Sequence, residues 1–153
     1  MTFKNEDCQS QDNTAMNGPR NGTCFTSTEC SDKGGKKSGS CASGFGVCCL
    51  FLKDTCGDDI NQNQTYIRNE DFPTALTGTS LSACSFTVNK CDSEICRVRL
   101  DFEQFTILGP AATATLDSDA ACIDSFEVSG LTTGNTVPRI CGENMGQHRK
   151  YKL

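Results

Sequence analysis

The sequence predicts a mainly β protein held by disulfides, with a small cystine-rich domain at residues 1–55 and a larger antiparallel β-sandwich at residues 56–153. Twelve cysteines fall within 153 residues, of which only 36% are hydrophobic. Cysteine density drops after the adjacent pair Cys48-Cys49. Beyond that pair, Cys96-Arg97-Val98-Arg99-Leu100-Asp101-Phe102-Glu103 alternates apolar with charged side chains, the two-residue period of a half-buried strand.

Cysteine usage sets the compartment. An even number of thiols in a short, glycine-rich chain reads as a disulfide framework made under oxidising conditions, hence a secreted, extracellular protein. Zinc is the competing use of cysteine, but no Cys-x-x-Cys occurs and His148 is the one histidine, so the usual structural zinc spacings are absent. Asn21-Gly22-Thr23 and Asn63-Gln64-Thr65 are glycosylation sequons, which fit the same compartment and make Asn21 and Asn63 candidate acceptors. Residues 1–10 hold no apolar run of the signal-peptide type, and no stretch is long enough to span a bilayer. A net charge of -5 with only short basic clusters such as Lys36-Lys37 leaves no extended basic face for nucleic acid.

The first region carries Cys8, Cys24, Cys30, Cys41, Cys48 and Cys49 among many glycines and polar residues, which is turn chemistry with little to bury. Its order is expected from three disulfides, each contributing about 2–4 kcal/mol. Adjacent Cys48 and Cys49 point in different directions, so each bridges elsewhere; spacing alone chooses no pairing. Phe25, Phe45, Leu50, Phe51 and Leu52 form an apolar set near the knot, expected to make the contact between the two regions, with a protein-binding patch as the competing role.

The second region carries Cys56, Cys84, Cys91, Cys96, Cys122 and Cys141. Cys96, Val98, Leu100 and Phe102 share one predicted strand face. Phe86 and Val88 alternate upstream, and Cys91 and Cys96 lie close enough in sequence to clamp the two strands as a disulfide-closed hairpin. Residues 122–128 and 137–141 are further strand candidates. Short strands, turn residues and no sustained helical period indicate an antiparallel sandwich.

Two resemblances refine this reading. The order Cys8, Cys24-x5-Cys30, Cys41, Cys48-Cys49, with Asn21-Gly22-Thr23-Cys24 and Gly46-Val47-Cys48-Cys49, resembles the clip-type knot of arthropod extracellular proteins, and implies the pairs Cys8–Cys48, Cys24–Cys41 and Cys30–Cys49. Over residues 56–148, Cys56-Gly57, Tyr66-Ile67 before Phe72-Pro73, Cys84-x-Phe86-x-Val88, Leu100-x-Phe102-x-x-Phe105, Cys122-x-Asp124-x-Phe126-x-Val128 and Ile140-Cys141-Gly142 together resemble a CUB domain. That resemblance implies a β-sandwich with Cys56–Cys84 and Cys122–Cys141, leaving Cys91–Cys96 as an addition. A CUB domain normally continues into further strands past the segment matched here, so the sandwich is expected to be incomplete at its C-terminus, with a bare edge.

Calcium-binding CUB domains use a tyrosine, a glutamate after the Leu-x-Phe-x-x-Phe strand and the aspartate of the Cys-x-Asp strand. The resemblance places Tyr66 and Asp124 at such positions, but Leu108 stands where the glutamate belongs. An improvised site from Asp117, Asp119 and Asp124 competes with a solvated acidic loop, and calcium needs six to eight oxygens; no metal or other cofactor is expected.

Catalysis is not expected either. His148 lies in a polar tail with no orienting group indicated. Gly34-Gly35-Lys36-Lys37-Ser38-Gly39 lacks phosphate-loop spacing. Asp58-Asp59 and Glu70-Asp71 sit in turn-rich sequence with nothing to desolvate a glycosidase pair. Ser43-Gly44-Phe45-Gly46 has the form of a glycosaminoglycan attachment site, but glycines between two cysteines serve tight turns.

The expected function is a non-enzymatic extracellular protein-interaction or structural module, its partners being extracellular proteins or copies of itself in an oligomer or filament. Self-association would use the knot or the tail at residues 147–153 against an unpaired sheet edge. The alternative is the regulatory N-terminal part of a secreted serine protease cascade protein. A carbohydrate-binding reading is weak, because tryptophan is absent and Tyr66 and Tyr151 are the only tyrosines.

Overall fold

The computed structural model describes residues 2–11, 18–76, 83–110, 122–131 and 137–153. The chain is mainly β and divides into two compact units, Met1–Cys91 and Asp92–Leu153. That division falls at residue 91, whereas the domain boundary expected from the sequence lies at residue 55. One strand carries the knot into the following segment, and pairing there folds residues 56–91 with the first unit.

In the first unit, β1 (Asp7–Gln9), β2 (Asn21–Phe25), β3 (Lys36–Cys41) and β4 (Gly46–Lys53) form an antiparallel sheet in the order β1-β2-β4-β3. β4 is an inner strand because Val47 to Leu52 form the longest apolar run of the region. The first half of β4 pairs with β2 and its last residues, Phe51 to Lys53, pair in parallel with β6 (Thr65–Ile67). A short parallel pair joins β5 (Asp59–Ile60) to β7 (Thr87–Val88).

One helix, α1 (Ser27–Asp32), follows β2 directly. Thr26 caps it: the Glu29 amide donates to the Thr26 hydroxyl, while the Thr26 amide and hydroxyl donate to the Glu29 carboxylate at 3.0 and 2.7 Å. This capping box satisfies donors that a helix start otherwise leaves bare. The same bonds hold the Glu29 carboxyl below its ordinary pKa.

Disulfides Cys8–Cys48, Cys24–Cys41 and Cys30–Cys49 cross this sheet, and Cys56–Cys84 closes the following segment. The first three are the pairs that the clip resemblance implies. Cys30, Cys48 and Cys49 are completely buried, with Phe25, Leu50 and Phe51 around them. The Phe25 and Phe51 rings meet edge to face at 6.2 Å. Phe25, Leu50 and Phe51 thus fill the knot unit's own core, and Phe45 is exposed. Phe51 and Leu52 also pair with Thr65 and Tyr66 of β6, so the expected apolar set serves the knot core and, at its end, the contact with the segment after residue 55. Cystine sulfur supplies the apolar interior that so polar a segment lacks.

In the second unit, β8 (Arg97–Asp101) pairs antiparallel with β9 (His148–Lys152), Val98 opposite Tyr151 and Leu100 opposite Arg149. The alternation is kept, with Arg97, Arg99 and Asp101 exposed and Val98 and Leu100 half-buried. Phe102 continues the inner face, its ring 4.8 Å from Phe105 and 5.7 Å from Phe126. Cys122–Cys141 closes this unit. The expected strands at 122–128 and 137–141 are reduced, among the described residues, to isolated bridges at Pro110 with Cys122 and Phe126 with Ile140. No full sandwich ladder is present among those residues.

Two expectations are corrected here. Cys91 and Cys96 are free, exposed thiols. The hairpin that would have clamped them does not form, because β7 pairs with β5 and β8 with β9. The loop between them closes on itself instead: the Glu94 amide donates to the Asp92 carboxylate at 2.9 Å and the Ile95 amide to the Asp92 carbonyl at 3.1 Å. Cys96, expected on the buried strand face, lies just before β8 and is exposed. The tail at residues 147–153, expected as one packing surface for another copy, forms β9 over His148–Lys152 and pairs with β8 of its own chain.

Candidate functional site

A connected polar surface lies along β2 and β6. Asn21 opens β2, and Asn63 sits in the turn before β6; both side chains are exposed. Parallel pairing of β6 with the end of β4 brings the two segments side by side. The Tyr66 hydroxyl donates to the Asn21 carbonyl at 3.0 Å. The Thr23 hydroxyl donates to the Gln64 side-chain carbonyl at 3.4 Å, and the Gln64 amide donates to the Asp7 carboxylate at 3.0 Å. The Arg20 guanidinium lies over the Tyr66 ring, 5.8 Å from its centre. Arg68 meets Asp54 at 3.1 Å beyond it.

A cleft of about 290 Å3 opens beside the end of α1, lined by Asp32, Lys33, Gly34, Phe51, Lys53 and Asp59. Its cations are engaged: Lys53 lies 3.5 Å from Asp58, and Lys33 lies over the Phe25 ring at 5.5 Å. Alternating opposite charges on an open wall supply no directed field for a charged ligand.

Of the calcium candidates, Tyr66 and Asp124 fall among the described residues, one in each unit. Asp117 and Asp119 lie outside the described residues. Tyr66 belongs to the first unit, where its hydroxyl serves Asn21. Asp124 belongs to the second, where its carboxylate accepts the Leu108 amide at 3.3 Å and its own amide donates to the Leu108 carbonyl at 3.2 Å. Leu108 and Asp124 thus stand together, but the Leu108 side chain is exposed and offers no oxygen. Among the described residues no group of three metal-ligating side chains occurs.

No family model, curated protein or solved structure matches this chain. The site rests on its own geometry. His148 is an exposed residue of β9 opposite Asp101, whose carboxylate is held in bidentate fashion by Arg99 at 2.6–2.9 Å. Asp58 is paired with Lys53, and Glu70 and Asp71 are exposed in a turn. Ser43 and Gly44 have φ of 54° and 91° and form the tight turn between β3 and β4. The sequence marked Asn21, Asn63 and Tyr66 individually but not the contact of Tyr66 with Asn21, which depends on a parallel pairing that no local pattern announces. The cleft beside α1 likewise had no signal.

Proposed function

We propose that this chain is a non-enzymatic extracellular module that binds other proteins or copies of itself, or serves as a structural element. The observation that carries the reading is the buried three-disulfide knot threaded through the β1-β2-β4-β3 sheet. Such a core is made where thiols are oxidised and holds a small surface rigid outside the cell. No helix among the described residues is long and apolar enough to cross a membrane. β1 and β3 end the sheet order, and a terminal strand offers backbone groups to an added strand.

The pairing in the knot also supports the second reading, the regulatory part of a secreted serine protease cascade protein, since it coincides with the clip arrangement. The source transcript past Leu153 separates the two, because only the second calls for a protease domain.

The test is fractionation of the source tissue with an antibody to this chain. The expected result is recovery from extracellular fluid with Cys8, Cys24, Cys30, Cys41, Cys48 and Cys49 oxidised, in a complex that added recombinant chain displaces. Recovery from cytosol with reduced knot cysteines sinks the proposal.

A further inference from the structure

We propose that Asn21 and Asn63 both carry N-linked oligosaccharides and that the two glycans share one flank of the first unit, over β2 and β6. The inference deepens the extracellular reading and rests on it. The new element is convergence. The sequons are 42 residues apart in the chain, yet the middle residue of one, Gln64, contacts the hydroxyl of the other, Thr23. Asn21 and Thr23 are alternate residues of β2 and share a face of the strand. Tyr66, just past the second sequon, reaches back to the Asn21 carbonyl.

Neither acceptor is needed for the fold's interior. Both asparagines are exposed, whereas Gly22 between Asn21 and Thr23 is buried against β4. A glycan on either asparagine therefore projects into solvent without disturbing the knot. In the modification the Asn side-chain nitrogen attacks the anomeric carbon of a polyprenyl-pyrophosphate-linked oligosaccharide. The C–N bond forms, the anomeric C–O bond breaks, polyprenyl pyrophosphate leaves, and the amide proton passes to the transferase's base. Two such groups on neighbouring segments are expected to shield Tyr66, whose hydroxyl reaches the Asn21 carbonyl and whose ring already lies beneath Arg20. Phe45, in the turn joining β3 to β4, is 63% exposed and is an uncovered reference.

The test expresses the full chain behind a heterologous secretion leader in eukaryotic cells, so that it enters the secretory pathway whatever its native address. Bare asparagines then count against the glycans alone, while the tissue fractionation above decides the compartment. Release by peptide N-glycosidase in heavy-oxygen water is expected to mark both Asn21 and Asn63, and N21Q and N63Q each to remove one mobility step. Hydroxyl-radical labelling of Tyr66 should fall severalfold in the glycosylated protein and recover after endoglycosidase trimming, with Phe45 unchanged. Occupancy of one or neither asparagine, or equal labelling of Tyr66 before and after trimming, overturns the shared glycan face.

Discussion

Gly46 shows how closely the knot is packed. A Cβ placed there would lie 2.8 Å from both sulfurs of Cys24–Cys41 and 2.9 Å from the Phe3 ring. Covalently linked sulfurs cannot retreat as a flexible side chain can, so Gly46→Ala is expected to cost about 1–3 kcal/mol, the usual range for overpacking. Urea unfolding of the oxidised protein checks it, and a loss below a few tenths of a kcal/mol would mean that the sulfurs yield. At Leu108 the argument concerns what is missing. With an apolar side chain beside Asp124, millimolar calcium is expected to leave the melting temperature within about a degree of its value in chelator, since a ligand that binds only the folded form would raise it. A rise of several degrees would place a real site at Asp124.

The β8–β9 ladder makes a pH prediction at the level of an element. Tyr151 lies opposite Val98 and is 7% exposed, and burial raises its phenol above the ordinary value, about 10. The neutral phenol is the form the fold prefers. Its contribution is fully present below the unfolded-state pKa and is lost as pH rises through the folded-state value. Stability should therefore fall as pH rises above about 10, the ordinary tyrosine pKa, and fall less in Tyr151→Phe; equal slopes in the two proteins would refute the assignment. Legibility differed between the two partners of this ladder. Arg97 to Phe102 alternate apolar with charged residues, so β8 could be read directly. His148 to Lys152 offer one aromatic among cations, and Arg149, half-buried opposite Leu100, occupies an inner-face position that polarity patterns miss. The first unit divides likewise. Adjacent Cys48 and Cys49 had to bridge in different directions, but the β4–β6 pairing that accompanies the Tyr66–Asn21 and Thr23–Gln64 contacts is a long-range event decided by packing.

For the whole molecule, the disulfides and the division into units imply a particular response to a single cut. Cys8–Cys48, Cys24–Cys41, Cys30–Cys49 and Cys56–Cys84 all lie before residue 91, and Cys122–Cys141 lies after it. No observed disulfide crosses the division between Cys91 and Asp92. Lys90 is an exposed residue immediately before that division and outside any strand, where trypsin can reach an unpaired backbone. Limited trypsin treatment is therefore expected to cut first after Lys90 and to give two fragments that separate without reductant on a denaturing gel. Cutting there leaves Cys91 and Cys96 on the same fragment, so the outcome does not depend on whether those two thiols later join. Lys53 tests the competing boundary near residue 55. It ends β4 and is paired with Ile67 of β6, so it should resist longer than Lys90. Fragments that stay linked until reduced would reveal a disulfide across the division, and first cleavage at Lys53 would return the boundary to the end of the knot.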